Sequence, residues 1–189
     1  EDYYVANKLM KGFIGSANID TNSRLCMASS VAGHKRAFGT DTVPGTYEDI
    51  DTADLVVLVG SNLAWCHPVL HQRLLAARKA SGTKIVVVDR ALFNALLGQI
   101  AARGAVDTAF APHLNGLEEA IASAQADDPS VTGLSEDDLA AFFDLWIGTP
   151  RVVTIYSQGV NQSTSGTDKV NAVLNCHLAT GRIGTEGCG

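Results

Sequence analysis

Four places in the sequence bring together residue types that could do chemistry. The first is NSRLCMASS, Asn22 to Ser30, where a lone Cys26 stands between Leu25 and Met27 and is followed by small residues. Such a thiol can close a disulfide, pack as a small hydrophobe or, as thiolate, ligate a metal. The second is a set of polar stretches that each follow an apolar run: GSNLAWC (Gly60 to Cys66), DR (Asp89 and Arg90) and SQGVNQSTSG (Ser157 to Gly166). If those runs are strands of an open parallel sheet, the stretches lie at the carboxyl ends where ligands bind. Backbone N–H groups there attract anions, and Asp89 could bond a ribose or a base, so a nucleotide-like ligand is expected. The competing account is ordinary strand-to-helix turns with Asn and Ser as caps. Neither G-x-G-x-x-G nor a Walker A motif is present, so the common NAD and ATP readings lack their fingerprints.

The other two places are weaker. His67 and His71 are four residues apart, on one helix face, and with Cys66 they could suggest zinc. No carboxylate stands near them, and an exposed or capping pair explains them as well. His34, Lys35 and Arg36 form a small basic cluster that could attract an oxyanion or be a solvated surface run.

Positioning such groups takes a framework, and the pattern of apolar runs supplies one. Ala53–Asn62, Thr83–Asp89 and Arg151–Gly159 are short, β-branched runs without alternation, as expected of parallel strands covered on both faces. Helical patterns fill the intervals: residues 67–82, with Pro68 in the first turn and Gly82 as the stop; 92–104; 114–125; 134–148, with Ser135 as N-cap and acids behind it; and 167–184, capped by Thr167 and stopped near Gly181. This alternation predicts an α/β fold, a doubly wound, mainly parallel and Rossmann-like sheet with helices on both faces. Residues 125–133 read as a surface loop. One junction is odd: VVVDR runs straight into ALFNALL, leaving almost no loop between strand and helix, so either the turn is very tight or residues are missing there.

Bulk properties agree with an ordinary globular chain. Its 189 residues are 46% hydrophobic and 18% charged, enough to bury a core. A net charge of −6 gives no reason to expect a nucleic acid or an anionic membrane as partner. No run approaches the roughly 18 apolar residues of a membrane span. The four cysteines, Cys26, Cys66, Cys176 and Cys188, form no C-x-x-C pair and are too sparse for a disulfide scaffold. The chain opens on Glu1 rather than Met and is expected to be a piece of something longer.

Taken together, NSRLCMASSVAGHKRAFGTDTVPGTYEDI, ADLVVLVGSNLAWCHPVL, YSQGVNQSTSGTDKVN and NCHLATGRIGTEGCG closely resemble the nitrate reductases of the molybdopterin oxidoreductase superfamily, with the prokaryotic assimilatory type nearest. The resemblance covers nearly the whole chain in the same order. It implies a molybdenum ion held by two molybdopterin guanine dinucleotides, with the thiolate of Cys26 as a ligand to the metal. Small neighbours, Ala28, Ser29 and Ser30, leave room for a bulky group. Met27 would line the substrate pocket and separates the chain from formate dehydrogenase relatives, which carry His after the ligand. Cofactor contacts are implied for Asn22, for Val59, Gly60, Ser61, Asn62, Leu63, Ala64, Trp65 and Cys66, for Val88 and Asp89, and for Gln158 and Gln162. Arg36 would aid anion approach.

The resemblance further implies reduction of nitrate to nitrite by a cytoplasmic enzyme of nitrate assimilation. Electrons would come from ferredoxin, flavodoxin or an NADH-linked reductase, through a [4Fe-4S] cluster in an N-terminal segment outside this chain. The family has about twenty further residues after the position of Asp89, where a short loop would otherwise be the norm. Residues 1–52 are read as the molybdenum-ligand segment, 53–150 as the dinucleotide-binding subdomain and 151–189 as the returning strand and helix. Two alternatives stand beside this: a formate-dehydrogenase-like member of the superfamily, and a catalytically inactive α/β scaffold.

Overall fold

The computed structural model describes residues 2–20, 25–88 and 92–189; of Leu25 and Cys26 it describes the backbone only. Its centre is a parallel three-stranded sheet in the order β2-β1-β3. The strands are β1 (Leu55–Val59), β2 (Lys84–Val88) and β3 (Val152–Tyr156). They pair without a register shift, Leu55 facing Lys84 and Val152 at one end, Val59 facing Val88 and Tyr156 at the other.

Because side chains alternate along a strand, the apolar run of β1 feeds two cores. Leu55, Val57 and Val59 enter the larger one, with Phe93, Leu96, Phe142, Trp146 and Val173. Val56 and Leu58 enter the smaller one, with Ile50, Leu63 and Leu74. The helices divide accordingly. The smaller core is closed by α3 (Asp49–Thr52), α4 (Leu63–Cys66) and α5 (Pro68–Ser81). The larger one is covered by α6 (Phe93–Ala102), α7 (Leu117–Ala126), α8 (Glu136–Gly148) and, after the short α9 (Gln158–Asn161), α10 (Gly166–Ala179). Helices on both faces of a parallel sheet make this the doubly wound α/β arrangement that the apolar runs imply.

Local signals act where expected. Pro68 opens α5, and Gly82, at φ 77°, ends it. The Ser135 side chain accepts the Asp138 N–H at the start of α8. The last helix starts at Gly166, a residue before Thr167, and ends at Ala179. Residues 129–132 of the expected surface loop wind into a 3-10 turn.

Two features depart from the sequence reading. β2 is not buried like β1: it has one neighbour in the described sheet, and Val87 is 69% exposed. A run of valines shows that a segment favours strand, but not whether a second strand lies beside it. The outer side of β3, by contrast, is covered by the chain end, since the Thr154 N–H donates to Gly189 O at 2.7 Å. Residues 25–38 also form a long helix, α2 (Leu25–Phe38), and α1 (Asp2–Asn7) continues into a π-helical turn at Lys8–Ile14. α2 lacks a strong apolar stripe. Its contact with α10 is made through small residues: a Cβ at Gly33 would collide with Val170, and the Asn171 amide donates to Gly33 O at 3.0 Å. The junction at residues 89–91 lies outside the described residues.

Candidate functional site

The strand order decides where a ligand can sit. After β1 the chain turns to α4 and α5 on one face of the sheet; after β3 it turns to α9 and α10 on the other. Between two loops that diverge in this way a crevice opens at the carboxyl edge. The two loops touch at their roots. Gly60, at φ 51°, lies so close to Gly159 that a Cβ on Gly60 would stand 2.8 Å from Gly159 Cα, and one on Gly159 would stand 2.7 Å from Gly60 Cα. The Gly159 N–H donates to Gly60 O at 3.0 Å, and the Gly60 N–H donates to Val88 O at 2.8 Å. All three strand ends are thereby tied by backbone alone.

Over this junction lies an open cleft of about 570 Å³, lined by Gly60, Ser61, Asn62, Ala64, His71 and Gly159 and by the apolar Leu58, Leu63, Val87 and Val88. The volume is within the range of small-molecule and cofactor sites. Asn62 is fixed by accepting the Trp65 N–H at 3.2 Å. The Ser61 hydroxyl oxygen is buried and has no hydrogen-bond partner among the described residues, a state that costs free energy until something bonds it.

The residues singled out in the sequence fall into three groups. Gly60, Ser61, Asn62, Leu63, Ala64 and Val88 meet at the cleft, with Val59 buried beneath them in the core. Trp65, 85% exposed, and Cys66 point away into solvent on α4; Met27, Gln158 and Gln162 are likewise exposed. Asn22 and Asp89 lie outside the described residues, as does the side chain of Cys26. Arg36 sits ten residues along α2 from Cys26, roughly 15 Å by helical rise. Its guanidinium is engaged by Asp168 at 3.1 Å and Asn171 at 3.0 Å. Cys66, His67 and His71 form no metal-holding group: among the described residues no cluster of three such ligands occurs. His71 instead forms part of the cleft wall, a position set by α5 and not by the His67–His71 spacing. Gly159 was legible only as part of a polar stretch; its contact with Gly60 depends on strand order.

A second polar cluster lies under α2. His34 is 5% exposed; burial lowers its pKa, and the nearby Asp41 carboxylate opposes that shift. Its Nε2 is 3.2 Å from the hydroxyl of Tyr156, the last residue of β3, and its Nδ1 is 3.9 Å from Asp41. Burial raises the pKa of the Tyr156 phenol, a hydrogen bond with Ser30 works against the rise, and Asp41 adds to it.

Comparison with known proteins bears directly on this arrangement. A family model described as molybdopterin oxidoreductase matches residues 1–189. The chain belongs to the molybdopterin oxidoreductase family. A nitrate reductase of Klebsiella oxytoca is 48% identical over 215 residues, covering 100% of this chain and 24% of that protein. One from Shewanella frigidimarina (strain NCIMB 400) is 47% identical, covering 100% of this chain and 23% of that protein. One from Synechocystis is 33% identical, covering 100% and 30%. The chain thus spans about a quarter of the length of the first two relatives. The Klebsiella alignment is longer than the 189-residue chain, so that relative carries residues with no counterpart here.

Membership of the molybdopterin oxidoreductase family implies a molybdenum–pterin cofactor, and the cleft fits such a group. Gly60 and Gly159 pack backbone against backbone at the root of the cleft and add no side chain to it, and Ser61 offers a hydroxyl with no partner among the described residues. No helix of the described residues is long and apolar enough to cross a membrane.

Proposed function

We propose that this chain is the molybdenum-cofactor-binding part of a nitrate reductase of the assimilatory type. The observation that carries the proposal is the identity of 47–48% over the whole chain to two proteins named nitrate reductase. The cleft at the strand ends supports it. In this reading the Gly60–Cys66 loop, with Val59, Val88 and Asp89, holds one guanine dinucleotide of a bis-molybdopterin guanine dinucleotide cofactor. Asn22, Gln158 and Gln162 contact the same cofactor. Ser61 donates its hydroxyl proton to an acceptor of the ligand, and His71 adds a ring nitrogen from the opposite wall. Cys26 supplies a soft thiolate to molybdenum, Met27 lines the substrate pocket, and Arg36 adds positive charge on α2.

When bound, the cofactor supplies the two-electron oxygen-transfer chemistry that no side chain can perform. The overall reaction takes up two electrons and two protons per nitrate and releases nitrite and water. Electrons would come from ferredoxin, flavodoxin or an NADH-linked reductase by way of a [4Fe-4S] cluster in a segment outside this chain, in the cytoplasm. Residues 1–52 carry the metal ligand, 53–150 the dinucleotide site and 151–189 the strand and helix that close it.

The test is Cys26→Ser in the native protein. It exchanges one atom for a harder donor ill matched to molybdenum. Nitrate reduction should fall by at least about a hundredfold, molybdenum content should drop, and the far-UV circular dichroism should not change. Near-normal turnover would remove Cys26 from the metal site, and a lost spectrum would make it a packing residue.

A further inference from the structure

The two edges of the sheet are not alike. On β3 the outer backbone groups are in use: the Thr154 N–H donates to Gly189 O at 2.7 Å, and Val152 O accepts the Gly189 N–H at 3.2 Å. On β2, among the described residues, β1 is the only neighbour. The Lys84 N–H donates to Asp54 O at 2.9 Å, and Val88 O accepts the Gly60 N–H at 2.8 Å. The N–H and C=O of one strand residue point to the same side, and those of the next residue to the other side. Lys84, Val86 and Val88 therefore bond β1, while Ile85 and Val87 turn both backbone groups outward. Their side chains share the face of the smaller core, where Ile85 is half-buried and Val87 is 69% exposed. A strand edge with open donors and acceptors is a template for a further strand.

We propose that β2 pairs antiparallel with β2 of a second copy of this chain, about a two-fold axis at Val86. The pairing stands apart from the functional reading above and does not depend on it. The outward groups fit this register and none is left over. Ile85 lies opposite Val87 of the partner subunit, and residues opposite each other at such a position exchange an N–H···O bond in each direction. The symmetry repeats the pair, so the donors and acceptors of Ile85 and Val87 are satisfied in both copies. The side chains of each pair meet on the smaller-core face, which gives the exposed valine a β-branched neighbour. Charge selects the direction. Lys84 is the one charged residue of the strand. Antiparallel pairing puts the two lysines at opposite ends, roughly 14 Å apart along the strands, whereas a parallel pairing in register would set them side by side. The contact is isologous, so it closes on two copies. Strands of five residues fall short of the roughly 1,200 Å² that a stable interface buries, so the pair is weak. Its Kd lies between about 1 μM and about 1 mM.

Sedimentation equilibrium of the 189-residue chain tests the pairing. From about 1 μM to about 1 mM the mean mass should rise from that of one chain toward that of two and stop there. Val87→Lys changes a side chain that is exposed in the single chain and sets a charge against Ile85 of the partner subunit. It should raise the Kd by about tenfold or more, with the far-UV circular dichroism unchanged. Val131→Lys is the control, at a valine 75% exposed on the turn at residues 129–132, and should leave the Kd within about twofold. Amide hydrogen exchange of the wild-type chain reads the edge itself. The Lys84 and Val86 N–H groups, bonded to β1, should be protected at every concentration, whereas those of Ile85 and Val87 should gain protection only as the chain concentration rises. A chain that stays single at about 1 mM, a mass that grows past two chains, or a Val87→Lys variant that associates as tightly as wild type would each overturn the proposal. So would Ile85 and Val87 amides protected at every concentration, because a segment of the same chain would then hold the edge.

Discussion

Two buried histidines approach the same face of β3 from different helices. Thr154 and Tyr156 are two apart on the strand, so their side chains share a face; His177 of α10 meets the first and His34 of α2 meets the second. Around His177 both ring nitrogens are used. Nδ1 donates to Arg182 O at 3.3 Å, because a carbonyl can only accept, and Nε2 therefore accepts the Thr154 hydroxyl at 2.8 Å. The Arg182 guanidinium lies 4.5 Å from the Trp146 ring centre and donates to Trp146 O and Ile147 O, each at 3.0 Å. Among the described residues no carboxylate contacts the ring, which is 1% exposed, and burial depresses its pKa to about 4. His34 has instead a phenol on one side and a carboxylate on the other. The same side chain is thus a neutral strut in one place and a titratable link in the other, and the difference is made by what lies beyond the ring.

The largest expected effect comes from breaking the strut. His177→Ala leaves a cavity between Thr154 and Trp146 and an unpaired threonine hydroxyl, which should cost about 3 kcal/mol or more of folding free energy. His34→Ala, at the margin of the fold beside a half-exposed acid, should cost about 1–2 kcal/mol, because water can enter the space it leaves. Urea denaturation of the two variants measures the gap. Equal losses would mean that the two histidines do the same structural work.

The next effect is on acid stability, and its sign follows from the depressed pKa. An unfolded histidine takes up a proton near pH 6.5, whereas His177 in the fold resists until about pH 4. Between those values the unfolded chain binds more protons, so stability is complete above pH 6.5 and falls as the pH drops toward 4. The loss should reach about 3 kcal/mol at pH 4. His177→Gln should flatten this part of the curve, while His34→Gln should leave most of it. A stability profile flat from pH 7 to 4 in the wild-type chain would contradict a neutral His177.

The comparison also marks what could be read from the sequence. Cys176 and its neighbours on α10 were legible as core, since Val173 and Leu174 share its apolar pattern; the thiol is buried and donates to Phe93 O at 3.1 Å. The strand runs, Ser135 and Gly82 were legible for the same local reason, and so was the loop after β1, because a strand end announces itself. The pairing of His34 with Tyr156 was not, since 122 residues separate them. Nor was α2 as a helix, because Ala28, Ser29, Ser30 and Gly33 give it no apolar stripe and its packing depends on Gly33 meeting Val170. His71 could be seen as a histidine with a helical partner, but its place on the cleft wall follows from strand order, which single-strand patterns do not carry.

The smallest effect sharpens the comparison most. Asp41→Asn removes the only carboxylate facing His34 among the described residues and touches nothing in the core. Because Asp41 is half exposed, the variant should lose less than about 1 kcal/mol of stability at pH 7. The carboxylate raises the His34 pKa against the effect of burial, so its removal should move the His34 titration to lower pH, which histidine Cε1–H resonances will show. The His177 titration should not move, because among the described residues its ring meets Thr154, Arg182 and Trp146 and no carboxylate. His34 would then behave more nearly as a second strut. An unmoved His34 titration would mean that Asp41 does not reach it across 3.9 Å, and that the two histidines differ in packing alone.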